Sequence, residues 1–278
     1  MATDFLTSYD YYSSRRDMEI ISQIVESLKN ILEEDKLQTQ PLFLKTSENL
    51  ILNIARKVVQ EKKKTFLIGI TGESASGKTV FVDNTIKACV KEKKEGIYTV
   101  IRCDDYYKDT SKELIEAGSY EALFKTGFSF DTPDAIDLEL MKKHLMKLKT
   151  GKEITSPKYD FVTCVSDPNG DIKKPAKVVL TEGLYVLNEG LRDIMDVKVY
   201  VYTPLEVIKD RWYRRAALRG KTGKAADLQF QDVNKTAQQY IRPAYQISDA
   251  VINGMVSQEY IQEITDKIFY TLQKIVEY

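Results

Sequence analysis

From residue 65 onward two hydrophobic periodicities alternate along the chain. Short apolar runs recur at 66–71, 98–102, 178–180, 197–202 and 249–252. Between them, apolar residues return every three or four positions. The runs predict buried strands and the intervening stretches predict amphipathic helices. Helices are expected over 77–94, 119–124, 133–149, 204–218, 227–246 (with a break near Pro243) and 258–276. Pro133 at a first turn, with Asp134 and Asp137 close by, supports the start of the third. Residues 153–177 depart from the alternation. They mix β-formers with proline and glycine, and predict a hairpin-like insertion turning near Asp167-Pro168-Asn169-Gly170. Short apolar strands separated by helices mean a mostly parallel sheet covered on both faces.

Residues 1–64 stand apart from this core at 65–278. Ile20, Ile21, Ile24, Val25, Leu28, Ile31 and Leu32 fall at helix spacing over 18–32. A second helix is expected from about Ser47, as N-cap, to residue 64. Pro41 lies between them. The stretch reads as an N-terminal helical extension, packed on the core or on a second subunit. Lys62-Lys63-Lys64 reads as a solvated helix end.

The richest chemistry follows the first of the strands. Gly72-Glu73-Ser74-Ala75-Ser76-Gly77-Lys78-Thr79 is G-x-x-x-x-G-K-[ST] between a strand and a helix, which is a phosphate cradle. Its glycines let successive N–H groups point at an anion, and the next helix adds its positive end. Lys78 supplies a cation for the β- and γ-phosphates, and Thr79 a hydroxyl for Mg²⁺. Two acids end other strands: Asp104 and Glu182. Ligands of such sheets sit at the strand C-terminal ends, so these carboxylates are placed to hold a metal or orient a hydroxyl. A basic cluster, Arg211, Arg214, Arg215, Arg219, Lys221 and Lys224, with Gly220 and Gly223, reads as a lid over 211–226 that stabilises phosphoryl charge.

Composition narrows the alternatives. Acidic and basic residues balance at 41 each, which gives no basic excess for nucleic acid or a membrane surface. No apolar run of about 18 residues exists to span a bilayer. Cys89, Cys103 and Cys164 have no metal-type spacing, and a reducing cytoplasm is the simplest home. The N-terminus lacks a signal-peptide pattern. The single histidine, His144, lies in a lysine-rich helix as a surface or boundary residue. It leaves too few ligands for a His-based zinc site and no Ser–His pair suited to hydrolysis.

Further motifs give these pieces a family likeness. Asp104-Asp105-Tyr106-Tyr107-Lys108, Phe128-Ser129-Phe130-Asp131-Thr132-Pro133-Asp134-Ala135, Pro157-Lys158-Tyr159-Asp160-Phe161, Leu180-Thr181-Glu182-Gly183 and Gln239-Tyr240-Ile241-Arg242-Pro243 follow the loop in order. In this order the chain, over about 65–270, resembles the uridine kinase branch of the uridine kinase/phosphoribulokinase P-loop family. The resemblance implies a P-loop NTPase-type, doubly wound α/β fold. It also implies transfer of a phosphoryl group from ATP (or GTP), with Mg²⁺, to a nucleoside 5′-hydroxyl. Asp104 resembles the base that takes the hydroxyl proton, and Asp131 a ribose partner. Tyr107, Phe130, Tyr159 and Phe161 would wall the nucleoside pocket, and Gln239 would add a contact. Glu182, with Thr79 and Asp104, would form the Mg²⁺ shell. The family's lid arginines fall on Arg211, Arg215 or Arg219 without a firm position, and Arg215 is the candidate for the catalytic one. At Cys164 uridine kinases carry a histidine that reads the pyrimidine edge. Cysteine is a weak hydrogen-bond partner, so a phosphoribulokinase- or pantothenate kinase-like acceptor stays open. A nucleotide switch without acceptor chemistry is a third reading, although Asn234-Lys235-Thr236-Ala237 lacks the aspartate of a guanine reader. Members of the family often assemble as homo-oligomers, and the sequence leaves the oligomeric state of this chain open.

Overall fold

The computed structural model describes residues 8–60, 65–91 and 97–276. The Lys62-Lys63-Lys64 run, the first residues of the chain and the end of the helix expected to reach residue 94 lie outside them. The chain opens with α1 (Ser8–Lys36), β1 (Phe43–Thr46) and α2 (Leu50–Gln60). It continues through β2 (Phe66–Gly72), α3 (Lys78–Lys91), β3 (Tyr98–Arg102), α4 (Ser111–Ala117), α5 (Tyr120–Lys125) and α6 (Leu138–Lys149). The hairpin strands β4 (Ile154–Asp160) and β5 (Val165–Lys173) precede β6 (Val178–Glu182) and β7 (Val197–Tyr202). Then come α7 (Leu205–Leu218), α8 (Gly223–Thr236), α9 (Ala244–Ile247), β8 (Ala250–Asn253) and α10 (Gln258–Val276).

The main sheet has the order β1-β8-β7-β2-β6-β3. Every pair in it is parallel except β1 on β8. This is the mostly parallel sheet the alternation predicted, in the doubly wound form the family resemblance implies. Successive strand residues point to opposite faces, and both faces are apolar. Leu67, Val179, Tyr200 and Val251 pack with Met141, Leu145 and Tyr185 on one face. Ile70, Leu180, Val199 and Ile252 pack with Ile24 and Leu28 of α1, Ala55 and Val59 of α2, and Ile261 and Ile264 of α10 on the other. Among the described residues no helix is long and apolar enough to cross a membrane.

Four differences from the sequence reading have physical causes. Residues 43–46 form an edge strand, so the N-terminal stretch is not helical alone. Its four residues alternate too briefly to register as a period. Helix α4 went unread because it buries no residue; an amphipathic signal needs a buried face. The helix expected from Pro133 begins at Leu138, where the Asp137 carboxylate accepts from Leu140 N–H. Pro133–Ala135 form a separate 3₁₀ turn, and Ile136 is extended and bridges Tyr107. The hairpin does not turn at 167–170. It turns at 161–164, where the Asp160 carboxylate accepts from the N–H groups of Val162 (2.7 Å) and Thr163 (3.2 Å), and Cys164 adopts φ +58°. Asp167-Pro168-Asn169-Gly170 instead sits in β5 opposite a register slip between Ser156 and Lys158. There a Cβ on Gly170 would meet the Ser156 carbonyl oxygen at 2.5 Å. Turn-type residues serve a bulge as well as a turn.

His144 is also deeper than expected: it is buried, with Nδ1 3.0 Å from the Tyr106 hydroxyl. Asp35 fastens the N-terminal elements. It is fully buried and accepts from the N–H groups of Leu42 and Phe43 and from the Tyr260 hydroxyl, each at 2.8 Å. An Asp35→Ala change strands one buried and two half-buried donors, and each buried unmet donor costs about 1–3 kcal/mol. Urea unfolding of that variant is expected to show a loss of roughly 2–4 kcal/mol. An unchanged midpoint would show that Asp35 does not fasten the α1–β1 connection to α10.

Candidate functional site

The site forms where β2, β6 and β3 end. The parallel register pairs Ile70 with Glu182 and Glu182 with Arg102. The phosphate loop, Glu182 and Asp104 therefore emerge along one edge of the sheet. At Gly72 the chain turns with φ +153°, and a Cβ there would stand 2.5 Å from the Val201 carbonyl oxygen. Only glycine fits. Ala75 (φ +66°) and Gly77 (φ +101°) curl the loop back to α3. A second close approach braces it from outside. Gly254, just past β8, lies so near the Ser76 carbonyl that a Cβ would fall 2.0 Å from its oxygen. That same oxygen accepts from the Thr203 hydroxyl at 2.8 Å.

Lys78 is buried within this curl, donating at 2.9 Å to the carbonyls of both Gly72 and Glu73. Burial lowers its pKa, while the nearby Glu182 and Asp104 carboxylates oppose the shift. The Thr79 hydroxyl lies 3.1 and 3.2 Å from the two Glu182 oxygens. Glu182 also pairs with Arg102 at 2.7 Å, and Arg102 reaches Asp83 at 2.7 Å. Burial raises the Glu182 pKa, and Lys78 and Arg102 restrain the rise. The hydroxyl of Thr79 and the carboxylates of Glu182 and Asp104 are hard oxygen donors, the set Mg²⁺ prefers. Among the described residues no group of three or more metal-type side chains makes a cage.

A cavity of about 690 Å³ runs from the loop to an aromatic end. Ser74, Ala75, Gly77, Lys78 and Thr79 line its loop end, with Asp104 and Glu182. Gly72, Glu73 and Ser76 build the loop from behind. Glu73 turns away and forms a bidentate pair with Arg242 at 3.0 and 2.9 Å, and Arg242 also donates to Asn234 at 2.6 Å. At the far end, Tyr107, Tyr159 and Phe161 form a ring cluster with centroids 5.1–5.6 Å apart. Phe130 faces it across the cavity beside Tyr120 and Phe124. Cys164 lines the same end, its sulfur 3.4 Å from the Tyr120 hydroxyl. Asp131 is buried there, with its backbone carbonyl accepting from the Tyr185 hydroxyl. Burial and the neighbouring Asp232 push its pKa up to about 6, against Lys221 and Arg215.

The lid elements close one side. Arg211, Arg215 and Arg219 all line the cavity. Arg211 donates to the Gly254 carbonyl at 3.1 Å, Arg215 to the Ser74 hydroxyl at 2.5 Å, and Arg219 lies 4.5 Å over the Phe161 ring. Arg214 faces outward and pairs with Asp210. Gln239 is not brought to the cavity. It is exposed on a π-helical turn, Ala237–Ile241, whose Ala237 and Ile241 face the core. Gln229 of α8 lines the cavity instead. Tyr120 and Trp212 also line it, and neither carries a sequence signal beyond being aromatic. Lys221 is different, since the basic cluster around Gly220 already contains it.

Known proteins resemble this chain over the same span. Residues 67–260 match the model of the family described as phosphoribulokinase / uridine kinase. A uridine kinase of Vibrio vulnificus (strain YJ016) is 32% identical over 200 residues, covering 70% of this chain and 89% of that protein. A uridine kinase of Lactococcus lactis subsp. lactis (strain IL1403) is 32% identical over 210 residues, covering 74% and 97%. A solved structure from Silicibacter sp. TM1040, named for a fructose transport system kinase, overlays with a TM-score of 0.51 at 18% identity. It covers 70% of this chain and 91% of its own, and at that identity it speaks for the fold alone. By these matches the chain belongs to the phosphoribulokinase / uridine kinase family.

Proposed function

We propose that this protein is an ATP-dependent kinase that phosphorylates the 5′-hydroxyl of a nucleoside. One observation carries the reading. A single cavity joins the phosphate loop to an aromatic-walled end through Asp104, with Asp131 beside the rings. Ring walls take a planar base, and buried carboxylates accept from ribose hydroxyls. The names of the sequence relatives support the acceptor class.

Each residue then has a task. The loop amides and Lys78 hold the donor phosphates. Thr79 and Glu182, with Asp104, would hold Mg²⁺, which when bound screens charge between the β- and γ-phosphates. Arg102 opposes the rise that burial imposes on the Glu182 pKa, and the carboxylate it pairs with also meets the Thr79 hydroxyl. Asp104 accepts the proton of the attacking hydroxyl. Arg215 and its lid neighbours offset charge on the phosphoryl group in flight. Arg242 holds the Glu73 carboxylate away from the phosphates, which it would repel.

ATP consumption with Mg²⁺ against uridine, cytidine, purine nucleosides, ribulose 5-phosphate and pantothenate tests the reading. Stimulation by a nucleoside supports it; stimulation by ribulose 5-phosphate or pantothenate alone overturns it. Asp104→Asn is expected to lower turnover about 10²–10⁴-fold, the usual worth of a general base, while ATP still binds. Turnover within about threefold of the parent would remove Asp104 from that role.

Asp131 gives a pH signature. Its pKa is raised to about 6, so it loses its charge as pH falls through 6, and a neutral acid accepts poorly from a ribose hydroxyl. Above pH 6 it is ionised and binding is favoured. The kcat/KM for the nucleoside is therefore expected to fall below pH 6, approaching tenfold per unit. The residual activity of Asp131→Asn should lack that limb. A parent profile flat from pH 7 to 5 would contradict the assignment.

A further inference from the structure

Lys221 occupies an unusual place in the cavity. It follows Gly220 between α7 and α8, and its N–H donates to the Ala216 carbonyl at 2.9 Å. Its ammonium stands over three rings at the aromatic end: 4.3 Å from the centroid of Tyr120, 5.4 Å from Phe130 and 5.5 Å from Phe124. The negative faces of aromatic rings hold a cation electrostatically. They do not use up its three N–H donors as a carboxylate would. Among the described residues no carboxylate forms an ion pair with Lys221, although the charge of Asp131 attracts it. Of the other polar groups at this end, the Tyr159 hydroxyl is buried and has no hydrogen-bond partner among the described residues, whereas that of Tyr120 is engaged. The Tyr120 hydroxyl lies 3.1 Å from the carbonyls of both Phe161 and Val162 and 3.4 Å from the Cys164 sulfur. Arg219 lies over the Phe161 ring.

We infer that Lys221 is a specificity-determining residue, whose caged ammonium donates to the 4-position oxygen of the acceptor base and so selects uracil over cytosine. The inference rests on the nucleoside reading above. Its chemistry is asymmetric because lysine is a donor and never an acceptor. Both bases carry an oxygen at the 2-position, so the discrimination lies at the 4-position. There uracil offers Lys221 an oxygen, whereas cytosine carries an amino group that would meet the ammonium donor to donor. A site built to hydrogen-bond one edge rejects the analogue that cannot reply. The rings around Lys221 fix its stem, so the donor is held in place before the base arrives, which lowers the ordering cost of binding.

The test is kcat/KM for uridine and for cytidine at saturating ATP, in the parent, Lys221→Met and Lys221→Gln. Methionine keeps an apolar stem among the rings and removes the donor, while glutamine offers both a donor and an acceptor. The parent is expected to favour uridine by about tenfold or more. Both variants should bring the ratio to within about threefold of unity, chiefly by raising KM for uridine rather than lowering kcat. A lysine that only packed the lid would lower both substrates alike and leave the ratio alone. Turnover of both nucleosides at an unchanged ratio, or a parent that prefers cytidine, overturns the inference and leaves the nucleoside reading standing. A parent that turns over neither nucleoside overturns both.

Discussion

The parallel register of β2 on β6, and of β6 on β3, is the constraint from which the rest of the site follows. Pairing Ile70 with Glu182 and Glu182 with Arg102 brings three strand ends level. A parallel pair slipped by one residue would turn each side chain to the other face. It would then bury Glu182 in the helix layer instead of facing it to Thr79. The register is enforced by burial on both faces: Leu67 and Val179 on one, Ile70 and Leu180 on the other. Hydrophobic packing far from any chemistry thus sets the distances between the reacting groups. Close backbone approaches finish the job. Beyond Glu182, Gly183 passes so near Cys103 that a Cβ would fall 2.0 Å from the cysteine's own. This proximity draws Asp104 and Glu182 to a common rim.

Electrostatics explains why so many charges share one cavity. Lys78, Arg211, Arg215, Arg219 and Lys221 line it with Asp104, Asp131 and Glu182. Several of these are buried, and a buried charge is costly unless opposed. The directions of their pKa shifts record that tension: burial lowers Lys78, Arg215 and Lys221 and raises Asp131 and Glu182. A polyanionic donor would relieve the cationic side of this arrangement. Glu73 is the loop acid that does not fit the pattern, and the Arg242 pair takes it out of the cavity. That pair also ties the phosphate loop to the turn beyond α8, and hence to the element that follows the lid.

The parts of the molecule differ sharply in how far they could be read from the sequence. The parallel core was legible because strand burial on both faces leaves uninterrupted apolar runs, as at Phe66-Leu67-Ile68 and Val178-Val179-Leu180. The loop, Asp104 and Glu182 were legible because each sits at the end of such a run. The hairpin turn was not, since Asp-Pro-Asn-Gly suits a turn and a bulge equally, and only the pairing of Ser156 with Asp171 decides. Strand β1 was hidden because its partner, β8, lies two hundred residues away in sequence. Gln239 was misplaced for a similar reason. Whether a helical residue faces a cavity depends on the local winding, and a π turn at 237–241 shifts every following side chain.

These differences divide the site by chemistry. The groups proposed to hold phosphate sit on strand ends and the first turn of α3, where the backbone is fixed by the sheet. The groups proposed to wall the acceptor come from peripheral pieces: the β4–β5 turn, the 103–107 segment, α5 and the loop between α7 and α8. Cys164 shows what this periphery demands. It takes a left-handed backbone, φ +58°, that non-glycine residues adopt at some cost. Its N–H donates to the Asp160 carbonyl while its own carbonyl accepts from Thr110. Two backbone bonds and a buried side chain hold that conformation and aim the turn inward at Tyr120. Changing the turn, α5 or the lid loop alters the acceptor wall without disturbing the register beneath the phosphates. One sheet can therefore keep a single phosphoryl-transfer geometry while its edges are rebuilt for a different hydroxyl.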